Sequence, residues 1–521
     1  MKIPAFDEVN YFDNQINKNS RVVTIRDVAP ERFKEYVELF ISDGYMLCQR
    51  RDVAGNPFAA LKNDRMGAFI NYYPNIREMT VVTETVSEYF SFSDISGASI
   101  APPQITQLPL EDFGMSYAIR LSDGRFVIID GGREFEPDAR RLFDFLKRSS
   151  YGEKPTIAAW ILTHPHCDHF HCFLTFVDLF ANEANIEKLL FTFPEHDDTS
   201  HYPSVMYKDP RLERDSSIYA NIPQLFERIE RLGVPVYSPH TGQRYVIGDA
   251  VCEILASIDD TIHRTENVNA TSLIIRMELG GQVIFWGADA ALSAVNLVEK
   301  YGNYIKSDIL QIPHHGFQSG SASAEIAGYR VIKPKVCFLP TSDMVAYTTF
   351  SAYREGTRFL MRDALDVEEI ITGDVERTLV LPYHAPAEAR ADIERKYLSG
   401  RYNSGSTAWF FTDLCTENED DFVFTFINMT VAQACVWIDI MFENGEGISS
   451  IKAAVSMGMK KFSIIGDQVD GDAVYFNGAS LKLRKDKIPE NTGFAVRFLS
   501  DTPIVISKKG HTPAYVSPYV G

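Results

Sequence analysis

Hydrophobic and polar positions fall into three stretches of different rhythm along the chain. Residues 1 to about 95 alternate short β-rich runs (21–25, 67–73 and 79–82) with a single helical stretch. That stretch, residues 30–43, repeats large apolar residues at Phe33, Tyr36, Val37, Leu39, Phe40 and Ile41, mostly on one side, and Gly44 stands where a helix stop belongs. The pattern predicts a small α+β module over residues 1–98. Residues 93–99, poor in large apolar side chains, and then Pro102-Pro103 read as a linker.

From Gln104 to about Tyr383 the rhythm changes to near-continuous apolar runs, each ending in a polar loop. The run 125–129 ends at Asp130-Gly131-Gly132, and 156–162 ends at Thr163-His164. The run 282–286 ends at Gly287-Ala288-Asp289, and 308–312 ends at Pro313-His314-His315. Buried strands that deliver polar groups at their C-terminal ends are how layered α/β proteins build sites, so residues 99–385 are predicted to be the chemical domain.

Beyond Ala385 a helix at 388–395 and a Gly/Ser loop lead into short strands near 422–428, 434–442, 461–465, 493–498 and 503–507. Asn444-Gly445 and Asn477-Gly478 supply turn signals between them. This predicts a β-sandwich over 386–521, with Trp409, Phe410, Phe411 and Trp437 in its core and a role in self-association or carbohydrate binding. No internal repeat or low-complexity segment is visible.

Composition narrows the function classes. The chain has 521 residues, 45% hydrophobic and 23% charged, the values of a folded protein of about three domains. Its longest apolar runs are far shorter than the ~20 residues a membrane helix needs. An acid at Asp7 interrupts the N-terminus before any signal core could form. Seven scattered cysteines do not form a disulfide framework. A cytoplasmic location with no membrane partner is therefore expected. A net charge of −19 argues against duplex nucleic acid as a partner. It leaves room for a small-molecule or short nucleotide-like substrate, because a local metal can supply positive charge.

Candidate chemistry concentrates in Thr163-His164-Pro165-His166-Cys167-Asp168-His169, where three imidazoles and a carboxylate follow a buried strand. Neutral imidazole and carboxylate are ligands for zinc-like cations. The expected arrangement has His164 and His166 on one ion, and Asp168 and His169 on a second. Asp289 could bridge both, and His315 could close the ligand shell of the second ion. His314 and His315 are adjacent, and adjacent residues of an extended segment face opposite ways. His315 is therefore assigned as the ligand and His314 as a supporting donor or proton carrier. Asp130 is expected to hold the histidine loop rather than to ligate. Cys167 and Cys172 are expected to pack, and His171 to lie outside the ligand set.

These residues, His164-x-His166-x-Asp168-His169 between Asp130-Gly131-Gly132 and Gly287-Ala288-Asp289 with His314-His315-Gly316, resemble the metallo-β-lactamase superfamily over about residues 104–383. The resemblance implies a four-layer αββα sandwich holding one or two divalent metals, usually zinc, sometimes manganese or iron. Residues 267–276, 287–289 and 312–316 look like the nuclease-like domains of DNA-uptake competence proteins, which are thought of as phosphodiesterases. Two departures stand out. The usual Gly-Asp is Gly-Ala-Asp here, and the third-position histidine, expected after the strand at 251–255, has no clear counterpart. His196, His240 and His263 are the alternatives for it.

A metal lowers the pKa of bound water from ~15.7 toward ~7, and Asp168 could accept a proton from it as ligand and base at once. The expected activity is thus hydrolysis, of a phosphodiester or nucleotide-like substrate first. Lactone, thioester or β-lactam hydrolysis is an alternative on the same fold, with β-lactam turnover disfavoured by the missing export signal. A non-catalytic metal-binding protein is the reading from a different class.

Overall fold

The computed structural model describes the chain except residues 1–10, 18, 86–91, 96–97, 112–113, 153, 194–221, 262–267, 294, 318–319, 348–354, 403–406, 416–421, 429–433, 446, 456–457, 465–473, 476–480, 484–492, 501–503, 509–514 and 519–521. Two compact units result. One comprises Met1–Thr341 with Tyr353–Arg390, and the other Ser342–Ala352 with Ala391–Gly521. Among the described residues no helix is long and apolar enough to cross a membrane.

The first unit opens with a six-stranded antiparallel sheet. Its spatial order is Tyr11–Asn17, Ser20–Ile25, Glu78–Thr85, Met66–Tyr73, Asn56–Lys62, Met46–Val53. The helix Pro30–Ser42 starts with its proline in the first turn, where the missing N–H costs nothing. It buries Phe33, Tyr36, Val37 and Phe40, the i, i+3, i+4, i+7 set of one face. Leu39 and Ile41 fall off that face and are exposed, which narrows the apolar stripe expected from the sequence. Gly44, at φ +88°, turns the chain out of the helix.

Side-chain alternation then divides the strands between two cores. Val23, Ala68, Ile70 and Val81 meet the helix. Their neighbours Val22, Phe69 and Val82 point the other way, with Phe58, onto Ile258 of the region that follows. A sheet buried on both faces is the reason these strands read as continuous apolar runs.

Two eight-stranded sheets form the rest of the unit. The first contains the parallel neighbours Phe126–Asp130 and Thr156–Ile161, and the second contains the parallel set Gln282–Trp286, Ile309–Gln311, Val336–Leu339 and Glu369–Thr372. Tyr117, Val127, Ile129 and Ile161 of the first share a core with Ile254, Ile275, Ile284, Trp286 and Phe338 of the second. On the opposite face of the first sheet, Phe126, Ile128 and Trp160 pack with side chains from the helices Glu136–Ser149, Cys167–Phe180 and Ile222–Leu232. This layering sets the carboxyl ends of four strands beside one another.

In the second unit, a six-stranded sheet and a four-stranded sheet face a common core. Phe411, Val436, Ile438 and Phe498 come from one sheet, and Phe424, Phe426, Ile504 and Ile506 from the other. Phe411 is buried, while Trp409 packs at the edge of this core and donates its indole N–H to the Ile504 carbonyl at 3.1 Å. Phe410 is half-buried, and the Trp437 side chain lies outside the described residues.

Candidate metal centre

The site begins with Asp130, the last residue of its strand, which adopts φ +56°. Its carboxylate accepts three hydrogen bonds: Thr163 N–H at 2.8 Å, Thr163 O–H at 2.7 Å and the His169 Nδ1–H at 2.7 Å. Asp130 thereby joins two neighbouring strand ends and fixes the His169 ring with Nε2 facing inward. The helix Cys167–Phe180 starts directly after His166, which adopts extended backbone at its N-cap. Asp168 and His169 thus occupy its first turn, while His164 and His166 precede it.

The strand Gln282–Trp286 delivers Asp289 through Gly287 and Ala288, the latter at φ +46°. The Asp289 N–H donates to Ser272 Oγ at 3.3 Å, and the Ala288 carbonyl accepts from His314 N–H at 2.9 Å. His314 and His315 both have positive φ, +51° and +53°. The segment is therefore a tight left-handed turn, not the extended stretch assumed from sequence. Each such non-glycine residue costs on the order of 1–3 kcal/mol, and such strain concentrates at functional sites. The turn sends the two rings apart: His315 faces the cluster, and His314 Nε2 accepts from Asn269 Nδ2 at 3.1 Å.

Two groups of donors converge, with Asp289 common to both. Asp168, His169, Asp289 and His315 each offer a ligand atom within 4.8 Å of the others, and so do His164, His166 and Asp289. His169 Nε2 lies 3.2 Å from Asp289 Oδ2, and His315 Nε2 lies 3.2 Å from Asp168 Oδ2 and 3.4 Å from Asp289 Oδ2. On the other side His164 Nε2 sits 3.0 Å from His166 Nδ1 and 3.8 Å from Asp289 Oδ2.

Electrostatics divides the imidazoles into two kinds. Burial, with His169 and His166 close by, holds the His164 ring well below its ordinary pKa, in the neutral form that ligates cations. Burial also opposes charge on His169 and His315, but the surrounding carboxylates outweigh it. His169 is raised well above its usual value by Asp289, Asp130 and Asp168, and His315 rises to about 9 through Asp289 and Asp168. Burial would raise the Asp168 and Asp289 carboxyls, yet His169 and His315 pull both below the ordinary range. Two buried carboxylates are thus balanced by imidazole protons that a bound cation would replace.

The donor set fits such a cation. Each position combines imidazole nitrogen with carboxylate oxygen, the ligands of zinc and of neighbouring divalent metals. Asp289 Oδ1 and His169 Nε2 are buried atoms with no hydrogen bond among the described residues, which is costly without a ligand.

Among the described residues, no further histidine or cysteine joins the cluster. His240 pairs elsewhere, with Asp259 at 3.0 Å and Glu84 at 3.0 Å, so it does not supply the third-position ligand. The strand Ala250–Ala256 leads into Asp259, which pairs with His240, and Asp260, which accepts from Tyr73 O–H of the N-terminal sheet at 3.5 Å. His196 and His263 lie outside the described residues. The His171 ring is bonded to Glu134 at 3.0 Å. Cys172 is buried against Gly131, where an added Cβ would come within 3.1 Å, and burial pushes its thiol up. Cys167 is half-buried. Asn269 and Ser272, in contact with the site, lie in the 267–276 segment that the sequence likened to competence-type domains, but sequence reading gave neither a role of its own.

No curated protein matches the chain. Among solved structures, the Anabaena sensory rhodopsin transducer is 22% identical, covering 20% of this chain and 89% of its own, with a TM-score of 0.14. The crystal structure of Thermotoga maritima 1070 is 20% identical over 22% of this chain and 91% of its own, also with a TM-score of 0.14. Neither likeness bears on fold or function. The family model of the metallo-beta-lactamase superfamily matches residues 110–259, a span that contains His164, His166, Asp168 and His169 and ends before Asp289. Residues 110–259 are thus similar to the metallo-beta-lactamase superfamily, and the His/Asp cluster able to hold metal draws on Asp289 and His315 beyond that span.

Proposed function

We propose that the protein is a metal-dependent hydrolase acting on a phosphodiester or a short nucleotide-like substrate. The observation that carries this reading is Asp289, shared between two donor groups. A carboxylate placed between two cations can set them close enough to engage the attacking and leaving oxygens of one in-line displacement. The facing sheets, with helices outside the first, support the four-layer αββα reading. The likeness of residues 267–276 and 312–316 to competence-type domains supports the choice of phosphodiesters.

His164, His166 and Asp289 would hold one ion, and Asp168, His169, Asp289 and His315 a second, zinc before manganese or iron. Such ions supply Lewis acidity and make water a nucleophile near neutral pH. The protein's part is to keep the donors fixed. Asp130 orients His169 through Nδ1, and the Pro340 carbonyl accepts from His315 Nδ1–H at 3.2 Å, so both rings present Nε2. Asp168 can take up a proton on its carboxylate beside the reacting centre. Because His314 Nε2 accepts from Asn269, its N–H stands at Nδ1, an atom with no hydrogen bond among the described residues. From there it can hydrogen-bond a leaving oxygen.

The net charge of −19 favours a short substrate over duplex nucleic acid. Bis(p-nitrophenyl) phosphate should be hydrolysed with manganese or zinc, and Asp168→Asn should abolish most of that activity. Absence of turnover by metal-loaded protein would favour the metal-binding reading instead. Unchanged turnover in Asp168→Asn would overturn the role given to Asp168.

A further inference from the structure

We propose that the N-terminal sheet is a built-in support of the metal centre, with Glu84, His240, Asp259 and Asp260 acting as positioning residues for the polypeptide that borders it. This rests on the reading of the His/Asp cluster as a metal site.

Two short pieces of chain, residues 257–261 and 268–272, connect the sheet to the cluster. At one end they are held by buried charges. His240 has a carboxylate on each ring nitrogen: Glu84, from the N-terminal strand Glu78–Thr85, at Nε2, and Asp259 at Nδ1, both 3.0 Å away. Asp259 also accepts from Thr241 N–H at 3.2 Å. Asp260 accepts from Lys300 Nζ at 2.5 Å and Thr241 O–H at 2.5 Å. The Tyr73 ring of the N-terminal sheet lies under the Lys300 ammonium, 4.2 Å from its centroid. Asn71 of the same strand donates to the Thr241 carbonyl at 2.7 Å, and Asn56 to the Lys300 carbonyl at 2.8 Å. The sheet therefore grips the 240–241, 257–261 and 300 positions together.

At the other end the same pieces touch the site. Thr261 O–H donates to the Ala270 carbonyl at 2.9 Å, which joins the first piece to the second. The second piece carries Asn269, bonded to His314, and Ser272, whose Oγ accepts from the Asp289 N–H. Leu273 N–H donates to the Thr163 carbonyl at 3.0 Å, beside His164. A path of ion pairs, hydrogen bonds and short pieces of backbone thus runs from Glu84 to the backbone of Asp289 and the ring of His314. Buried charges that face counter-charges allow little freedom, since any shift would separate them. The direct connection at Thr261–Ala270 makes the support specific to this edge of the cluster.

The test uses the full chain with cobalt(II) in place of the native metal, reading affinity by titration and ligand geometry by the visible spectrum. Glu84→Gln and Asp259→Asn should weaken cobalt binding by about tenfold or more, as loss of supporting contacts behind metal ligands does, and should alter the spectrum. Glu84→Asp, which keeps the charge, should recover part of the loss. Phe40→Leu disturbs the helix-side core of the same sheet and touches none of these contacts. It should lower the melting temperature and leave the cobalt spectrum unchanged. Should Glu84→Gln fail to fold, Asn71→Ala is read in its place, with the same expectation. Wild-type affinity and spectrum in folded Glu84→Gln, or an equal change in Phe40→Leu, would overturn the proposal. Wild-type protein that binds no cobalt would instead refute the metal reading on which it rests.

Discussion

Two buried polar clusters lie in the same unit, and they are built on opposite principles. At the junction with the N-terminal sheet, each charge meets a counter-charge: Lys300 meets Asp260, and His240 lies between Glu84 and Asp259. At the strand ends, two carboxylates and several imidazoles crowd together, with ligand atoms of Asp168, His169, Asp289 and His315 all within 4.8 Å of one another. Both clusters contain buried histidine and aspartate, so residue type alone does not separate them. Arrangement does. At the junction the charges face counter-charges from separate elements and hold those elements together, whereas at the strand ends two groups of donors converge on one shared carboxylate, Asp289, held in place by strained backbone at Ala288, His314 and His315.

The contrast can be broken first at the junction. Lys300→Met leaves the Asp260 carboxylate buried without its cation, and removing one member of a buried pair costs about 3–5 kcal/mol. Urea denaturation should show that loss as a lower midpoint with little change in slope. A loss under ~1 kcal/mol would mean that the pair is not closed as described. By the same logic a piece spanning residues 99–385, although it contains all the proposed ligands, would strip Glu84 and Tyr73 from the junction.

A smaller effect is expected from pH. The carboxylates of Asp259 and Glu84 overcome the burial penalty and raise His240 to about 10. A folded-state pKa above the unfolded value of ~6.5 contributes stability that is complete below ~6.5 and lost as pH rises through about 10. The stability difference between wild type and His240→Gln should therefore shrink between those two pH values. A difference independent of pH across that window would show that His240 is neutral in the folded protein.

The two clusters also differ in how far sequence revealed them. The strand ends were legible because buried strands are apolar along their whole length, so a sudden density of histidine and aspartate after them stands out. Asp289 and His315 could be placed for the same reason. The turn at His314-His315 was not legible as left-handed, since positive φ in non-glycine residues leaves no mark in the sequence. The junction was invisible: Glu84, His240, Asp260 and Lys300 are far apart in the chain, and each alone looks like an ordinary polar residue. His240 read as a candidate ligand for that reason. In the N-terminal helix, the apolar run included Leu39 and Ile41, and only packing showed that they face outward.

The most direct test of the account is the metal content of the purified, metal-loaded full chain, compared with that of the combined His166→Ala and Asp289→Ala variant, by elemental analysis. The account predicts at least one divalent ion per wild-type chain and none retained by the variant. A wild-type chain without metal, or a variant that keeps its full complement, would contradict it.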